Sequence, residues 1–108
     1  MLADDIEWEI IGSTDWSRIF QGKSSVVADL LRPLGNQFDG PNKVEATRFI
    51  ADGNVVAVEG RNLSTTKRGD AYPNRYCWIF EMRGDRAVKV IEYCDTALID
   101  RVLVWPAG

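Results

Sequence analysis

The 108-residue sequence contains no histidine. That absence excludes Ser-His and Cys-His nucleophilic schemes and the commonest metal ligand in one stroke. Cysteine is scarce as well: Cys77 and Cys94 stand 17 residues apart, which matches no zinc pattern. No glycine-rich phosphate loop is present. No apolar run approaches the ~20 residues that span a bilayer, so no membrane is expected as a partner. The N-terminus, Met1-Leu2-Ala3-Asp4-Asp5, has neither a basic segment nor an apolar stretch of the kind a signal peptide carries, and the expected location is cytoplasmic. A net charge of −3 repels a phosphate backbone, and the one basic pair, Lys67-Arg68, is too short to override it, so nucleic acid is not expected either.

What is present is ordinary for a single globular domain spanning 1–108: 45% hydrophobic and 27% charged residues. A chain of this size buries roughly two thirds of its unfolded surface and supports one core without staples. Any chemistry has to run on carboxylates, tyrosines, lysines or arginines, without a cofactor.

Ile6 to Ile11 reads as a short strand, and Gly12 to Asp15 as a turn that caps a single helical turn over Trp16 to Phe20. Ser24 or Ser25 can cap a helix whose Val26, Val27, Leu30, Leu31 and Leu34 form one apolar face, limited by Pro33 and Gly35. Two strands, 43–51 and 55–63, flank Asp52-Gly53-Asn54, a strong hairpin turn. A polar connector follows over 64–70. Strands 72–82 and 86–95 then form a second long hairpin. The tail 97–105 is a helical turn or a final strand, ended by Pro106. Helices preceding a run of long antiparallel strands give an α+β layout, with helices on one face of a curved sheet.

If the second hairpin is regular about Gly84-Asp85, residue 83 faces 86, 77 faces 92 and 75 faces 94. Cys77 and Cys94 are then diagonal neighbours about 7–8 Å apart, too far for an unstrained disulfide and expected as reduced thiols. On the same register Glu92 shares a face with Cys77, Ile79, Val88, Val90 and Cys94. A carboxylate among such neighbours loses hydration, and its pKa should rise toward neutrality, as a general acid or base requires. A glutamate paired with Arg61 or Arg75 is the structural alternative. Asp95 is expected to cap the following turn or to form a salt bridge across the sheet, with a catalytic role as the alternative. Glu59 and Arg61 lie two residues apart on one face of their strand, as an anion clamp or a structural ion pair. Trp8, Trp16 and Phe20 are candidates for a pocket wall, or for core. Tyr76, Trp78 and Phe80 form an aromatic stripe that a dimer would cover. With the register off by one, they become the pocket wall instead.

Four segments together resemble a known family: Asp4-Asp5-x-x-Trp8, Asp52-Gly53-Asn54 to Gly60, Gly69-x-x-Tyr72-x-Asn74-x-Tyr76-x-Trp78-x-Phe80, and Glu92-Tyr93-x-Asp95-Thr96. The chain is similar to SnoaL-like proteins of the nuclear-transport-factor-2-like superfamily, which includes ketosteroid isomerase and limonene epoxide hydrolase. The resemblance implies a cone-shaped, strongly curved antiparallel sheet with short helices on its concave side, an apolar pocket, and usually a homodimer through the outer sheet face. It also implies a long first helix over the cone, and the sequence begins where that helix should be ending. The superfamily hosts isomerases, cyclases, dehydratases, hydrolases and binding modules, so the fold leaves the activity open.

The isomerase constellation is absent, because its base would fall near Ile10 and its oxyanion-hole acid near Cys77. The hydrolase places a carboxylate near Glu92, with an arginine and a second carboxylate on a neighbouring strand, where this chain has Arg61 and Glu59. The resemblance thus names Glu92, Arg61 and Glu59 as catalytic candidates. Trp8, Trp16, Phe20, Cys77, Ile79 and Val90 are the ligand-binding candidates, for a small hydrophobic, cyclic or polyketide-like molecule. Two functions stay open: a cofactor-free acid–base enzyme, and a noncatalytic ligand-binding or dimeric assembly module.

Overall fold

A computed structural model describes residues 1–106. Six strands make one curved sheet in the order β2-β1-β8-β7-β4-β3. They are β1 (Leu2–Ile10), β2 (Ile19–Gln21), β3 (Val44–Asp52), β4 (Val55–Asn62), β7 (Arg75–Arg83) and β8 (Arg86–Cys94). A two-stranded ribbon, β5 (Ser64–Thr65) with β6 (Ala71–Tyr72), occupies the polar connector. The expected α+β layout is the one observed. All pairings in the main sheet are antiparallel except β1 with β8, which is parallel and makes the sheet mixed.

Both long hairpins turn on glycine. Gly53 and Gly84 each occupy the first position of a two-residue loop at φ of +61° and +62°. That backbone conformation admits glycine without strain, which fixes where each hairpin reverses.

The β7–β8 hairpin begins in the expected register, with Arg83 opposite Arg86 and Met82 opposite Ala87. It then shifts by one residue. Glu81 pairs with Lys89, leaving Val88 as an extra residue in β8. Beyond this bulge Trp78 faces Glu92, Cys77 faces Tyr93 and Tyr76 faces Cys94. A one-residue slip carries every later side chain to the other side of its partner strand's pleat. Glu92 therefore shares a face with Tyr76, Trp78 and Phe80, and not with Cys77 and Ile79. The two cysteines lie on opposite faces, and both are free thiols.

The helical layer lies on the Glu92 side. Helix α1 (Lys23–Ser25) runs on through a π-helical segment, Val26–Leu31, into α2 (Arg32–Gly35). The expected serine cap is not used; the helix starts from Gly22 at φ +86°, and Ser25 Oγ bonds Asp29 Oδ2 at 2.8 Å. Val26 and Leu30 are buried, as their apolar spacing implies. Trp16 to Phe20 is not a helical turn. Ile19 and Phe20 fall in β2, with Phe20 opposite Trp8, and the buried Phe20 ring packs toward Trp105. The tail forms α3 (Thr96–Val102), with Asp95 as its cap. Trp105 closes the layer, edge-on to Trp16 at 4.7 Å with the Arg18 guanidinium 4.0 Å above it.

The core joins Ile6, Ile10 and Val90 from the sheet to Val26, Leu30, Leu98 and Ile99 from the helices. Strand β3 stands outside it. Every one of its residues is exposed, including Phe49 and Ile50.

Asp95 Oδ1 accepts from the Leu98 backbone N–H at 3.3 Å and satisfies one donor at the start of α3. Asp95→Ala is expected to lower the free energy of unfolding by about 1 kcal/mol, read from urea denaturation. An unchanged midpoint would show that packing of Leu98 and Ile99 alone positions the helix.

Candidate functional site

Glu92 sits near the middle of the concave face, flanked by Ile10 of β1 and Trp78 of β7. Its Oε1 accepts from Trp78 Nε1 at 3.0 Å. Trp78 lies flat across β4 because residue 60 is glycine: a Cβ there would come within 2.8 Å of both Trp78 Cζ3 and the Glu45 carbonyl oxygen. Burial raises the Glu92 pKa above its ordinary 4.5, and the neighbouring Trp78, Trp8 and Cys94 side chains offset part of that rise. The Cys94 thiol is in turn pushed up to about 12, by burial first and then by the adjacent carboxyl. The indole N–H of Trp8 is near Glu92 but lacks the geometry of a full hydrogen bond. It and the Trp16 N–H are buried without partners.

Glu92 lines a cavity of about 170 Å³ between the sheet and the helices. Its walls are Trp8, Ile10, Trp16 and Trp78 on one side and Leu30, Leu34, Ile99 and Leu103 on the other, with Tyr72 and Tyr76 at one end. The π-helical segment supplies Leu30 and Leu31, in keeping with the frequent occurrence of such turns at functional sites. The two phenols are held by asparagines. Asn74 Nδ2 donates to the Tyr72 hydroxyl at 2.9 Å, and Asn62 Nδ2 to the Tyr76 hydroxyl at 3.1 Å. Burial raises the pKa of both phenols, so each keeps its proton. A second, more open apolar trough of about 480 Å³ continues along the concave face past Trp8 and Trp78 to Phe49, Val56, Phe80 and Met82. No helix covers it. A larger depression, about 530 Å³ near Arg32, Lys67 and Arg68, includes none of these groups.

The structure gathers some of the residues singled out from the sequence and separates others. Glu92, Trp8 and Trp16 meet at the cavity. Glu59 and Arg61 do not reach it. They project from the convex face, where Glu59 pairs with Arg48 at 2.7 Å and Arg61 with Glu45 at 3.0 Å. Cys77 and Ile79 are on that same convex face, turned away by the bulge. Val90 is fully buried core on the concave side, and Phe20 is core beside Trp105. Tyr72, Tyr76 and Trp78 are the site residues that the regular register concealed; the off-by-one register is the one that places the aromatic stripe on the pocket wall. Among the described residues no group of three or more Cys, Asp or Glu is arranged to hold a metal ion. No helix among them is long and apolar enough to cross a membrane.

Residues 1–90 match the family model of the SnoaL-like domain. The chain belongs to the SnoaL-like family. No curated protein matches its sequence. Among solved structures, this SnoaL-like chain is similar to an NTF2-like protein from Burkholderia thailandensis E264, at 21% identity and a TM-score of 0.81, over 95% of this chain and 79% of that one. It is also similar to TerC co-crystallised with polyporic acid, at 20% identity and a TM-score of 0.78, over 94% and 78% of the two chains. A putative SnoaL-like polyketide cyclase from Jannaschia sp. CCS1 aligns at 11% identity and a TM-score of 0.78, over 98% and 75%. At these identities the structural likeness establishes the fold.

The raised pKa of Glu92 has a stability consequence whose sign is fixed. The protonated acid contributes its full stability below the unfolded value near 4.5, and the contribution is lost as pH rises through the higher folded value. Wild type is therefore expected to lose stability relative to Glu92→Gln over that window, measured as urea midpoints against pH. Parallel curves for the two proteins would show a solvated carboxyl.

Proposed function

We propose that this SnoaL-like protein binds a small hydrophobic molecule in the cavity and moves a proton on it with Glu92, without a cofactor. The observation that carries the proposal is a half-buried carboxyl, bonded to the Trp78 indole, that faces an apolar cavity. A group shifted toward neutrality in such a place is poised to take and return a proton at working pH. For a ketone, the carboxylate form takes a proton from the carbon next to the carbonyl, and the protonated form returns it to the same or a conjugated carbon. The phenols of Tyr72 and Tyr76 supply hydrogen-bond donors in a low-dielectric site, where charge developing on a carbonyl oxygen is stabilised most. Arg61 and Glu59 have no part in this scheme. That a protein of the same fold was co-crystallised with polyporic acid is in keeping with a small-molecule ligand.

The test is deuterium uptake from heavy water into a panel of small ketones, followed by proton NMR. Wild type is expected to accelerate exchange for at least one of them. Glu92→Gln should lower that rate about 100-fold or more. Exchange that survives the substitution would remove Glu92 from the mechanism.

A second role, assembly, is favoured by the opposite face of the sheet. Ala57, Cys77, Ile79 and Ile91 form an apolar strip there that no helix among the described residues covers, with Ile50 and Tyr93 exposed at its edges. A second copy of the chain is the proposed cover, with Arg48, Glu59, Lys89 and Glu7 as its charged rim. This moves the dimer surface from the Tyr76-Trp78-Phe80 stripe to its reverse side. The expected mass by light scattering is that of two subunits at micromolar concentration, and Ile79→Asp should give a folded monomer. A monomeric wild type would end the dimer proposal.

A further inference from the structure

The cavity beside Glu92 restricts its ligand in size, charge and polarity, and the three restrictions come from different observations. At about 170 Å³ it is close to the engineered apolar cavity of roughly 150 Å³ that takes up benzene. One ring with a short substituent fills such a space; fused polycycles exceed it and reach only the outer trough. The second restriction is charge. No lysine or arginine lines the cavity, and its one ionisable carboxyl is negative when ionised. An anionic ligand would be buried without a counter-charge, which is strongly unfavourable in an apolar site.

The third comes from counting protons. The Tyr72 and Tyr76 hydroxyls each accept from an asparagine amide, Asn74 and Asn62 respectively. Those amides are fixed in turn, Asn74 by both backbone groups of Asp95 and Asn62 by Asn42 and the Ser64 N–H. The two phenols lie near each other at one end of the cavity, and neither hydroxyl donates a hydrogen bond to any described residue. Each carries a single proton. Even if one phenol turned its proton to the other, at least one phenolic proton would remain, and among the described residues no acceptor takes it. A donor left over at the wall of a cavity is free to bond an acceptor on the ligand.

We propose that the cavity selects an uncharged, single-ring compound carrying a carbonyl-type acceptor oxygen, bound with that oxygen on the free hydroxyl of the Tyr72–Tyr76 pair. This rests on the reading of the Glu92 cavity as the ligand site, and it names what that site takes. The oxygen is anchored at the phenol end, and the ring lies along the Trp8, Trp16 and Trp78 wall toward Glu92.

Three molecules of one size separate the restrictions: acetophenone, ethylbenzene, which lacks the acceptor, and benzoate, which is charged. Each is titrated at pH 7 into the full chain, with the indole N–H signals of Trp8, Trp16 and Trp78 followed by NMR. Acetophenone is expected to shift these signals and to bind about tenfold more tightly than ethylbenzene, the equivalent of one good hydrogen bond. Benzoate is expected to leave them unmoved. In the Tyr72→Phe/Tyr76→Phe double variant acetophenone should fall to the affinity of ethylbenzene, and continued ethylbenzene binding shows that the cavity is intact. If the double variant does not fold, Tyr76→Phe alone is read in the same way, with a reduced preference for acetophenone expected.

Equal binding of acetophenone and ethylbenzene by wild type overturns the proposal. So does benzoate binding as tightly as acetophenone, or a preference for acetophenone that survives in the folded phenylalanine variant. The outcome is independent of turnover. Absence of proton exchange with the acetophenone preference intact removes the catalytic role of Glu92 and leaves the ligand class standing. Glu92-dependent turnover of a charged or polycyclic compound does the reverse.

Discussion

A single extra residue in one strand, Val88, decides which side of the sheet Glu92 faces. Without it the carboxyl would pair across from Cys77 on the convex side, among the apolar strip and its charged rim. With it the carboxyl lies against the Trp78 indole, under the helices and at the wall of the cavity. Much else at the site follows from that pairing. Residue 60 must lack a side chain for Trp78 to lie flat. The phenols of Tyr76 and Tyr72 come into line at the end of the cavity, and Cys94 is brought beside the acid. The bulge is confined to one strand of one hairpin, yet it sets the identity of both faces of the molecule, as register does wherever the two faces of a sheet have different tasks.

Much of this was legible in the sequence, and the rest was hidden for definable reasons. The two glycine turns, the helix through Val26 and Leu30 and the cap at Asp95 all rest on local chemistry, and the chain carries that chemistry openly. The SnoaL-like fold was legible from four spaced segments. The bulge was not, because both registers put apolar residues opposite apolar residues through most of the hairpin. One signal was available. Only the shifted register sets Glu81 opposite Lys89 and keeps both charges on the convex face; the regular one places Lys89 opposite Phe80. Glu59 and Arg61 were grouped with Glu92 through the resemblance to an epoxide hydrolase, and strand parity carries them to the other face, where each has its own exposed ion-pair partner. Trp16 to Phe20 looked helical because a strand of three residues is too short to show a period of two.

The polar groups under the helices divide into a satisfied set and an unsatisfied one. Asn42, Asn62 and Tyr76 form one hydrogen-bonded run, and Tyr72 and Asn74 a second that ends on the backbone of Asp95, immediately before α3. The first ties β4 to β7, the second ties the start of the last helix to β6, and together they hold the end of the cavity at a fixed width. Such a network rigidifies a core only when its members are paired, and here all the amide anchors are. The groups left over are the ones on the cavity wall: two indole N–H groups, phenols that accept but do not donate, and an acid displaced from its ordinary pKa.

Each unpartnered buried polar group costs about 1–3 kcal/mol, in a domain whose whole stability is on the order of 5–15 kcal/mol. Apolar replacements of similar shape, phenylalanine for Trp8 or methionine for Glu92, would relieve much of that cost while leaving the core filled. The departures from good packing practice are not spread through the molecule. They are concentrated around one 170 Å³ space, while the core of Ile6, Val26, Leu30, Val90 and Leu98 obeys every ordinary rule. Local inconsistency confined to one place, on a scaffold otherwise consistent at every level, is how a functional site differs from a defect. On this argument the Glu92 cavity, and neither the larger basic depression near Arg32, Lys67 and Arg68 nor the exposed ion pairs of β3 and β4, is where the chemistry of this SnoaL-like chain is to be sought.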